Sequence, residues 1–279
     1  MTSESATSKS LGIGIAGVWG RMGQTLLGEI LRSEGAFFFA AGSESTSHPQ
    51  FDDPLLDPRT REPLGLSAFG DAEALFEVSD VVLDFTTPAA ALQHAAAAAA
   101  SRTALLVGTS GLRQKDQKAL EKASHKAPVL IAANMSPGVN LLIEATRMLA
   151  AKLGPEFDIE IQEIHHRHKR DAPSGTALAF GRAAAEGRGG SLEDLGLLDS
   201  SDRRGERPHG KIGFVVARGG DVAGEHTVLF AGPGERIELT HRAGDRRIFA
   251  RGALRAATWL YAQPPGLYGM REMLGLGDG

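Results

Sequence analysis

The sequence predicts an α/β fold, in which a doubly wound parallel sheet carries an inserted α+β domain with a mixed sheet. Three observations support this. Short apolar runs alternate with helix-length amphipathic segments over residues 11–134, as in consecutive βαβ units. Apolar and charged residues then alternate in strand-like runs between residues 157 and 243. A final amphipathic segment, 246–263, is expected to return as a helix to the first sheet.

Each element of the first domain has its own signal. LGIGIAG (11–17) has the composition of a buried strand, and apolar residues at helical spacing follow it. Pro88 suits the first turn of a helix, and the alanine run 95–100 suits a helix packed closely on a sheet. The predicted strands are 11–17, 36–44, 80–86, 103–111 and 128–134. The predicted helices are 21–35, 71–79, a segment that begins at 87, and 113–127. Residues 45–68 contain four prolines and are predicted to be a loop or insertion.

The inserted domain begins with a long helix at 139–154. In the run 157–166, apolar residues flank acidic positions, as in a strand with one exposed face. Two further runs, 210–220 and 225–243, are expected to be antiparallel strands. The predicted boundaries assign 1–136 and 246–279 to a dinucleotide-binding domain and 137–245 to the insertion.

Composition excludes several classes of protein. The formal net charge of −4 and the pI of about 6.1 argue against a protein that coats nucleic acid, so any basic cluster is expected to serve a small anion. No cysteine is present, which rules out disulfides and thiolate metal sites and suits a reducing cytoplasm. The polar segment 1–10 does not have the pattern of a signal peptide, and charged or polar residues interrupt the apolar stretches. We therefore expect a soluble, cytoplasmic protein without a membrane partner.

A glycine-rich turn, GVWGRMG, follows the first predicted strand and opens the first predicted helix. Glycine lets the backbone turn tightly and approach a pyrophosphate, and the helix N-terminus supplies free N–H groups and a partial positive charge. This context predicts a Rossmann-like cofactor site. Its predicted members are Gly17, Val18, Trp19, Gly20, Arg21, Met22 and Gly23, and the bulky Trp19 is expected to point outward.

Glu44 ends the second predicted strand, where a carboxylate can bind the ribose hydroxyls of NADH. The same carboxylate repels the 2′-phosphate of NADPH, and the neighbouring Ser45 supplies no compensating charge. The sequence therefore favours NADH, although Arg21 leaves NADPH open. The alternative interpretation of Glu44 is a solvated loop residue.

Small polar residues follow three further strands, where the crevice of a doubly wound sheet is expected. These loops are candidates for the nicotinamide side of the cofactor, although each alone could be an ordinary turn. The candidates are Thr86, Gly108, Thr109, Ser110, Ala133, Asn134, Met135 and Ser136.

The stretch HHRHKRDAPSGT (165–176) admits three interpretations. A metal site is disfavoured because neighbouring side chains on a strand point to opposite faces and no cysteine or HExxH helix is present. Nucleic-acid binding is disfavoured because aromatic residues and a wider basic surface are missing. The third interpretation is a site for a small anionic substrate.

As a substrate site, the stretch supplies an anion cradle, formed by Ser174, Gly175 and Thr176, and side chains that can donate a proton. Ser174 is a predicted N-cap, and the N–H groups of Gly175 and Thr176 would face a bound anion. Lys169 adds charge and a possible proton, and histidine ordinarily exchanges protons near neutral pH. The alternative is a helix cap beside a solvated basic face.

In these motifs the sequence resembles the 4-hydroxy-tetrahydrodipicolinate reductase (dihydrodipicolinate reductase) family. The resemblance covers residues 11–274 and is carried by GRMG, DFTxP, VGTxG, ANxSxGVN, HHRHKxDAPSGTA and GEHT. It implies hydride transfer from NAD(P)H to a cyclic imine dicarboxylate with loss of water, in diaminopimelate and lysine biosynthesis, without a metal. It also implies a homotetramer assembled through the inserted domain, which would bind substrate as well.

The resemblance assigns roles by motif. His165 would transfer a proton, Lys169 would be a second proton donor, and His166 would contact substrate. A substrate carboxylate would be held by Ser174, Gly175 and Thr176. Ser45 and Thr87 depart from basic residues common in the family, which weakens the case for NADPH. Two other hypotheses are an amino-acid dehydrogenase of the same architecture and an NAD-sensing module whose basic loop binds an acidic partner.

Overall fold

A computed structural model of the chain describes residues 10–197 and 205–276. Of the predicted polar tail 1–10, only Ser10 is among them. The chain divides into two compact units, of which the first comprises Met1–Met135 and Phe249–Gly279 and the second comprises Ser136–Ile248.

The strands follow in chain order. They are β1 (Leu11–Ala16), β2 (Phe37–Ser43), β3 (Val81–Asp84), β4 (Ala104–Val107), β5 (Pro128–Ile131), β6 (Asp158–His165), β7 (Gly196–Leu197), β8 (Ile212–Arg218), β9 (Glu225–Gly232), β10 (Glu235–Arg242) and β11 (Gly266–Tyr268).

The helices lie between them. They are α1 (Arg21–Leu31), α2 (Ala72–Glu77), α3 (Pro88–Ser101), α4 (Gln114–Ser124), α5 (Pro137–Leu153), α6 (Gly175–Gly187), α7 (Leu192–Leu195), α8 (Arg247–Tyr261) and α9 (Met270–Met273).

The first unit contains a six-stranded parallel sheet in the order β11-β5-β4-β3-β1-β2. From β1 the chain moves outward to β2 and then reverses to β3, so the switch point of a doubly wound sheet lies between β1 and β3. The predicted fold class is confirmed. The edge strand β11 was not predicted, because its three residues are too few to show a period.

Side chains of this sheet alternate between two apolar clusters. Leu26 and Leu27 of α1 and Ala253 of α8 pack on one face, whereas Phe76 of α2 and the alanines of α3 pack on the other. Ala91, Ala95 and Ala98 are buried there, since small side chains let α3 approach the sheet closely. The predicted return of the last helix to the first core is observed.

The second unit contains a five-stranded mixed sheet in the order β10-β9-β6-β8-β7. Helices α5 and α6 contribute to one apolar core with Ile159 and Ile161 of the central strand β6. Because strand side chains alternate, Glu163 and His165 continue the same buried face toward the end of β6. The core strand therefore ends in two ionisable groups.

The runs 210–220 and 225–243 were expected to be antiparallel strands, and this is observed: β9 is antiparallel to both β6 and β10, and β8, which is parallel to β6, runs opposite to β9. The parallel pairing of β8 with β6 was not predicted. Strand direction depends on the path of the chain between β6 and β8, which residue alternation does not encode. Among the described helices, none has the length and apolar character needed to cross a membrane.

Candidate active site

The glycine turn of the first unit is required sterically. Gly17 adopts φ +73°, and a Cβ there would lie 2.8 Å from the Thr86 side chain. A Cβ on Gly23 would lie 2.3 Å from the Gly17 carbonyl oxygen and 2.7 Å from that of Val18. The glycines therefore permit the turn and bring α1 against the end of β1.

The N-terminus of α1 suits a pyrophosphate. Gly20 is the N-cap, no side chain caps the helix, and its first turn contains no acidic residue. The first-turn N–H groups and the positive end of the helix dipole are thus available to an anion.

Glu44 links the end of β2 to the glycine turn. Its carboxylate accepts hydrogen bonds from the Trp19 N–H (3.2 Å) and the Ser45 N–H (3.0 Å). Gly17, Glu44, Ser45 and Thr86 line a cavity of about 500 Å³. Among the described residues that line it there is no lysine or arginine, so its formal charge comes from Glu44.

Three predicted cofactor residues have buried or partly buried side chains. Trp19 does not point outward as expected: its ring packs against the core, and its buried Nε1 has no hydrogen-bond partner in the described structure. Val18 is fully buried and Met135 is 1% exposed, both within the core of the first unit. Only the backbone of Val18 and Met135 remains available for a ligand, because their apolar side chains complete the packing.

The loops after β3 and β4 are joined by one buried carboxylate, Asp84. It accepts hydrogen bonds from the Thr86 N–H (2.9 Å), the Thr86 hydroxyl (2.6 Å) and the Thr109 hydroxyl (3.0 Å). His94 Nδ1 lies 2.7 Å from its second oxygen. Burial alone would raise the pKa of Asp84, but the contacts with His94 and Thr86 outweigh burial and lower it. Asp84 therefore holds two predicted cofactor loops as an anion.

The remaining predicted loop residues differ in exposure. Ser110 and Ala133 are exposed, and Gly108 packs so closely on Phe85 that a Cβ would lie 2.1 Å from its ring. Ser136 caps α5 by accepting a hydrogen bond from the Val139 N–H. Gly108 and Ser136 thus have local structural roles, and the exposed Ser110 and Ala133 remain candidates for contact with a cofactor.

In the second unit, Glu163 and His165 form a buried pair at the end of β6. Glu163 Oε2 lies 2.5 Å from His165 Nδ1, although the two atoms are not aligned as a regular hydrogen bond. Glu163 Oε1 accepts hydrogen bonds from the Ser174 N–H (2.8 Å) and from Arg218 Nη2 (3.1 Å). The carboxylate thus connects the predicted proton-transfer residue to the predicted anion cradle.

The charge state of Glu163 follows from these contacts. Burial would raise its pKa, but His165, the Ser174 N–H and Arg218 outweigh it and lower the pKa from 4.5 to about 2. The carboxylate is therefore ionised at neutral pH and favours a hydrogen on His165 Nδ1, as in other carboxylate–histidine pairs.

Lys169 and His166 lie in the loop after β6. Lys169 Nζ is 2.9 Å from Asp171 Oδ1, and more than half of the Asp171 side chain is exposed. Such a surface pair contributes about 0–1 kcal/mol, so a substrate carboxylate could replace Asp171 at small cost. Partial burial and then Arg246 lower the pKa of His166, which favours its neutral form.

Ser174 caps α6 as predicted. Its hydroxyl accepts a hydrogen bond from the Ala177 N–H (3.2 Å). The adjacent Gly175 is exposed, and a Cβ there would have no atom within 4 Å. Thr176 follows in the same first turn. The helix N-terminus therefore has space beside it for an anionic group.

Sequence reasoning missed three residues of this cluster. His226 of β9 lies 3.1 Å from the Ser174 hydroxyl through Nε2 and packs edge-on against His165. Gly224 leaves room for His165, since a Cβ there would lie 2.9 Å from its Nε2. The motif GEHT contained the signal for both, and the alternation Ile159, Ile161, Glu163 contained the signal for Glu163.

His165, His166 and His168 do not converge on one point. The His166 and His168 rings are tilted by 39° with centroids 6.2 Å apart, whereas His165 is buried beside Glu163 and His226. By distance, Glu163, His165 and His226 could surround a cation. Because the Ser174 N–H and Arg218 both bind Glu163 Oε1, and Arg218 already supplies a positive charge there, we interpret the group as a polar network, and the expectation of no metal stays a prediction.

Comparison of the fold with solved structures gives two informative neighbours. The dipicolinate-bound dihydrodipicolinate reductase from Paenisporosarcina sp. TG-14 has a TM-score of 0.73 at 23% identity, covering 94% of this chain and 98% of that chain. The amine dehydrogenase from Mycobacterium smegmatis has a TM-score of 0.57 at 12% identity, covering 92% and 94%. At these identities both show a shared fold alone.

Sequence comparison is more specific. A 4-hydroxy-tetrahydrodipicolinate reductase of Zymomonas mobilis is 46% identical over 276 residues, which is 99% of this chain and 100% of the relative. One of Granulibacter bethesdensis is 46% identical over 97% of this chain and 99% of the relative. Residues 11–135 match the family profile described as dihydrodipicolinate reductase, N-terminus, and residues 138–274 match that of its C-terminus. The chain therefore belongs to the dihydrodipicolinate reductase family.

Proposed function

We propose that this chain reduces 4-hydroxy-tetrahydrodipicolinate to tetrahydrodipicolinate with loss of water, using a nicotinamide dinucleotide, in diaminopimelate and lysine biosynthesis. The observation that carries the proposal is the Glu163–His165 pair beside the N-terminus of α6, because it combines a proton-transfer group with an anion cradle. Names of relatives with near-complete coverage support the same reaction.

The substrate carboxylates are held by charge and by backbone dipoles. The N–H groups at the start of α6 and the Ser174 hydroxyl donate hydrogen bonds to one carboxylate. Lys169 releases Asp171 and forms an ion pair with a substrate carboxylate instead. His166, which favours its neutral form, contributes a hydrogen bond. Fixing the ring in this way supplies the proximity that catalysis needs.

Protonation falls to His165 and Lys169. The 4-hydroxyl group and a hydrogen of the adjacent ring carbon leave as water, which gives a conjugated imine. A bound nicotinamide would supply the hydride that reduces this imine, and the displaced electron pair would move toward the ring nitrogen and a carbon conjugated with it. An acid must then deliver a proton to the electron-rich atom. His165 is suited to this because its Nδ1 lies 2.5 Å from the ionised Glu163, which orients the ring, and Lys169 is the second donor.

We propose NADH as the preferred cofactor. The proposal rests on Glu44 at the wall of the cavity in the first unit and on the lack of a lysine or arginine among the described residues lining it. A carboxylate suits ribose hydroxyls and repels a 2′-phosphate. Arg21 is exposed at the start of α1, so NADPH remains a second substrate.

Ser45→Arg is expected to raise the ratio of kcat/KM for NADPH to that for NADH about tenfold or more, since a hydrogen bond to a charged group contributes about 1.5–3 kcal/mol. Steady-state kinetics with both nucleotides measures the ratio. Ser47→Arg, which adds the same charge at another exposed position, is the control. An equal rise in both variants, or none in Ser45→Arg, would place the ribose site elsewhere.

We propose a homotetramer assembled through the sheet of the second unit. The support is the sheet face opposite α5 and α6, on which Val215 is 47% exposed beside Gln162 and Thr227. The tetramer is what the family resemblance implies, and Val215 is an apolar position on the face that would pack against another chain. Sedimentation equilibrium is expected to give the mass of four chains, and Val215→Asp is expected to lower it; a monomeric wild-type chain would contradict the proposal.

The proposed activity is tested by a coupled assay. Pyruvate and aspartate semialdehyde are condensed enzymatically to the unstable substrate, and consumption of NADH or NADPH is followed separately. Consumption that requires both precursors is expected. A folded sample that consumes neither nucleotide would refute the proposal, and turnover with aspartate instead would favour an amino-acid dehydrogenase.

A further inference from the structure

His226 is buried at the centre of the second unit's site. It is 5% exposed, and its ring packs against His165 (centroids 5.0 Å apart) and Phe180 (6.0 Å). Its Nε2 lies 3.1 Å from the Ser174 hydroxyl oxygen. His226 thus contacts both the predicted proton-transfer residue and the predicted anion cradle.

The protonation of His226 can be argued from its surroundings. Burial, and then the neighbouring His165, lower its pKa to about 4, so the ring is neutral at neutral pH. A neutral imidazole has one N–H and one nitrogen that only accepts. His226 Nδ1 is buried and has no hydrogen-bond partner in the described structure.

The unpartnered nitrogen identifies the tautomer. A buried N–H without an acceptor is rarer in proteins than a buried acceptor without a donor. The hydrogen is therefore assigned to Nε2, where it is donated to the Ser174 hydroxyl oxygen.

The Ser174 hydroxyl then receives two hydrogen bonds. One comes from His226 Nε2 and the other from the Ala177 N–H at 3.2 Å. A hydroxyl accepts two hydrogen bonds and donates one, so the Ser174 hydrogen must be donated to a third group. Space for that group lies beside the exposed Gly175, where a Cβ would have no atom within 4 Å.

We propose that His226 is a positioning residue that fixes the Ser174 hydroxyl as a hydrogen-bond donor to a carboxylate of the substrate. This inference rests on the proposed function and adds a residue to it. Without His226 Nε2, the hydroxyl could point its hydrogen inward, and the cradle would lose one donor.

The test is the affinity for pyridine-2,6-dicarboxylate, measured by calorimetry on the full chain. His226→Phe removes the donor and keeps an aromatic ring against His165. In this variant we expect the dissociation constant for pyridine-2,6-dicarboxylate and the KM for the substrate to rise about tenfold, as for loss of one hydrogen bond to a charged group. The change in kcat is expected to be smaller. His226→Gln, which retains an amide donor, is expected to recover part of the affinity. His209→Phe, an exposed histidine of the same unit, is the control.

A double variant separates positioning from general damage. Ser174→Ala is expected to weaken binding as much as His226→Phe, and the combination is expected to be no weaker than either, because both remove the same donor. Additive losses, or wild-type affinity in His226→Phe, would overturn the inference. Hydrogen exchange in α6 and NADH affinity check that each variant is folded.

A wrong proposal for the function would give a different result from a wrong role for His226. If it is wrong, the wild-type chain neither binds pyridine-2,6-dicarboxylate nor consumes a nicotinamide nucleotide in the coupled assay. If wild type does both and His226→Phe matches it, the role of His226 alone is wrong.

Discussion

His165→Ala and Lys169→Ala are each expected to lower kcat by a factor of about 10²–10⁴, the usual contribution of a positioned general acid. The physical reason is that each variant removes a proton source from the ring that receives the hydride. His165 is 7% exposed, and its Nδ1 lies 2.5 Å from Glu163 Oε2, so in wild type the ring is fixed at this position. Steady-state rates with NADH in the coupled assay measure the effect.

A control variant and the KM of Lys169→Ala help to interpret these losses of kcat. His168→Ala removes an exposed histidine from the same loop and is expected to keep nearly wild-type kcat. Lys169→Ala is also expected to raise KM, because its ammonium group is expected to pair with a substrate carboxylate. If both catalytic variants turn over at the wild-type rate while still folded, proton transfer occurs at another site.

Glu163→Gln is expected to damage both stability and rate. The substitution leaves Arg218 and His165 without their shared carboxylate, and breaking a buried pair in this way costs about 3–5 kcal/mol. It also removes the carboxylate that orients the His165 ring, so kcat is expected to fall. Hydrogen exchange of peptides from β6 and α6 measures opening of the second unit. Tryptophan fluorescence would not report on this unit, because Trp19 and Trp259 both lie in the first unit.

The effect of Glu163 has a defined pH window. Its folded pKa of about 2 is below the ordinary 4.5, so its stabilisation is present above pH 4.5 and is lost as pH falls toward 2. Between pH 5 and pH 3 wild type is expected to lose about 2 kcal/mol of stability that Glu163→Gln does not lose. Glu235→Gln, which removes an exposed carboxylate from the same unit, is the control. Identical pH dependence in wild type and Glu163→Gln would contradict the assigned network.

The parts of the structure predicted from sequence are those with local signals. The apolar runs, the glycine turn and the Ser174 cap depend on residues within a few positions of one another, so their patterns are visible in the chain. Glu163 was accessible to the same reasoning, because it follows Ile159 and Ile161 on one face of β6. It was missed because the acidic positions of this run were assigned to the exposed face of the strand, whereas Glu163 is buried.

Other features depend on distant parts of the chain. His226 reaches Ser174 only through the pairing of β9 with β6, in which Glu163 lies opposite His226. The parallel direction of β8 and the inward packing of Trp19 likewise depend on how remote segments meet. No period or motif in a single sequence specifies such register, although GEHT marked the segment that supplies His226.

The most direct measurement follows the hydride itself. The coupled reaction is run with NADH that carries deuterium at both positions of C4, and the product is analysed by mass spectrometry. Our proposal predicts tetrahydrodipicolinate that contains one deuterium, formed by wild type and strongly reduced in His165→Ala. Nucleotide consumption without deuterium in that product, or equal labelling by His165→Ala, would contradict the proposal.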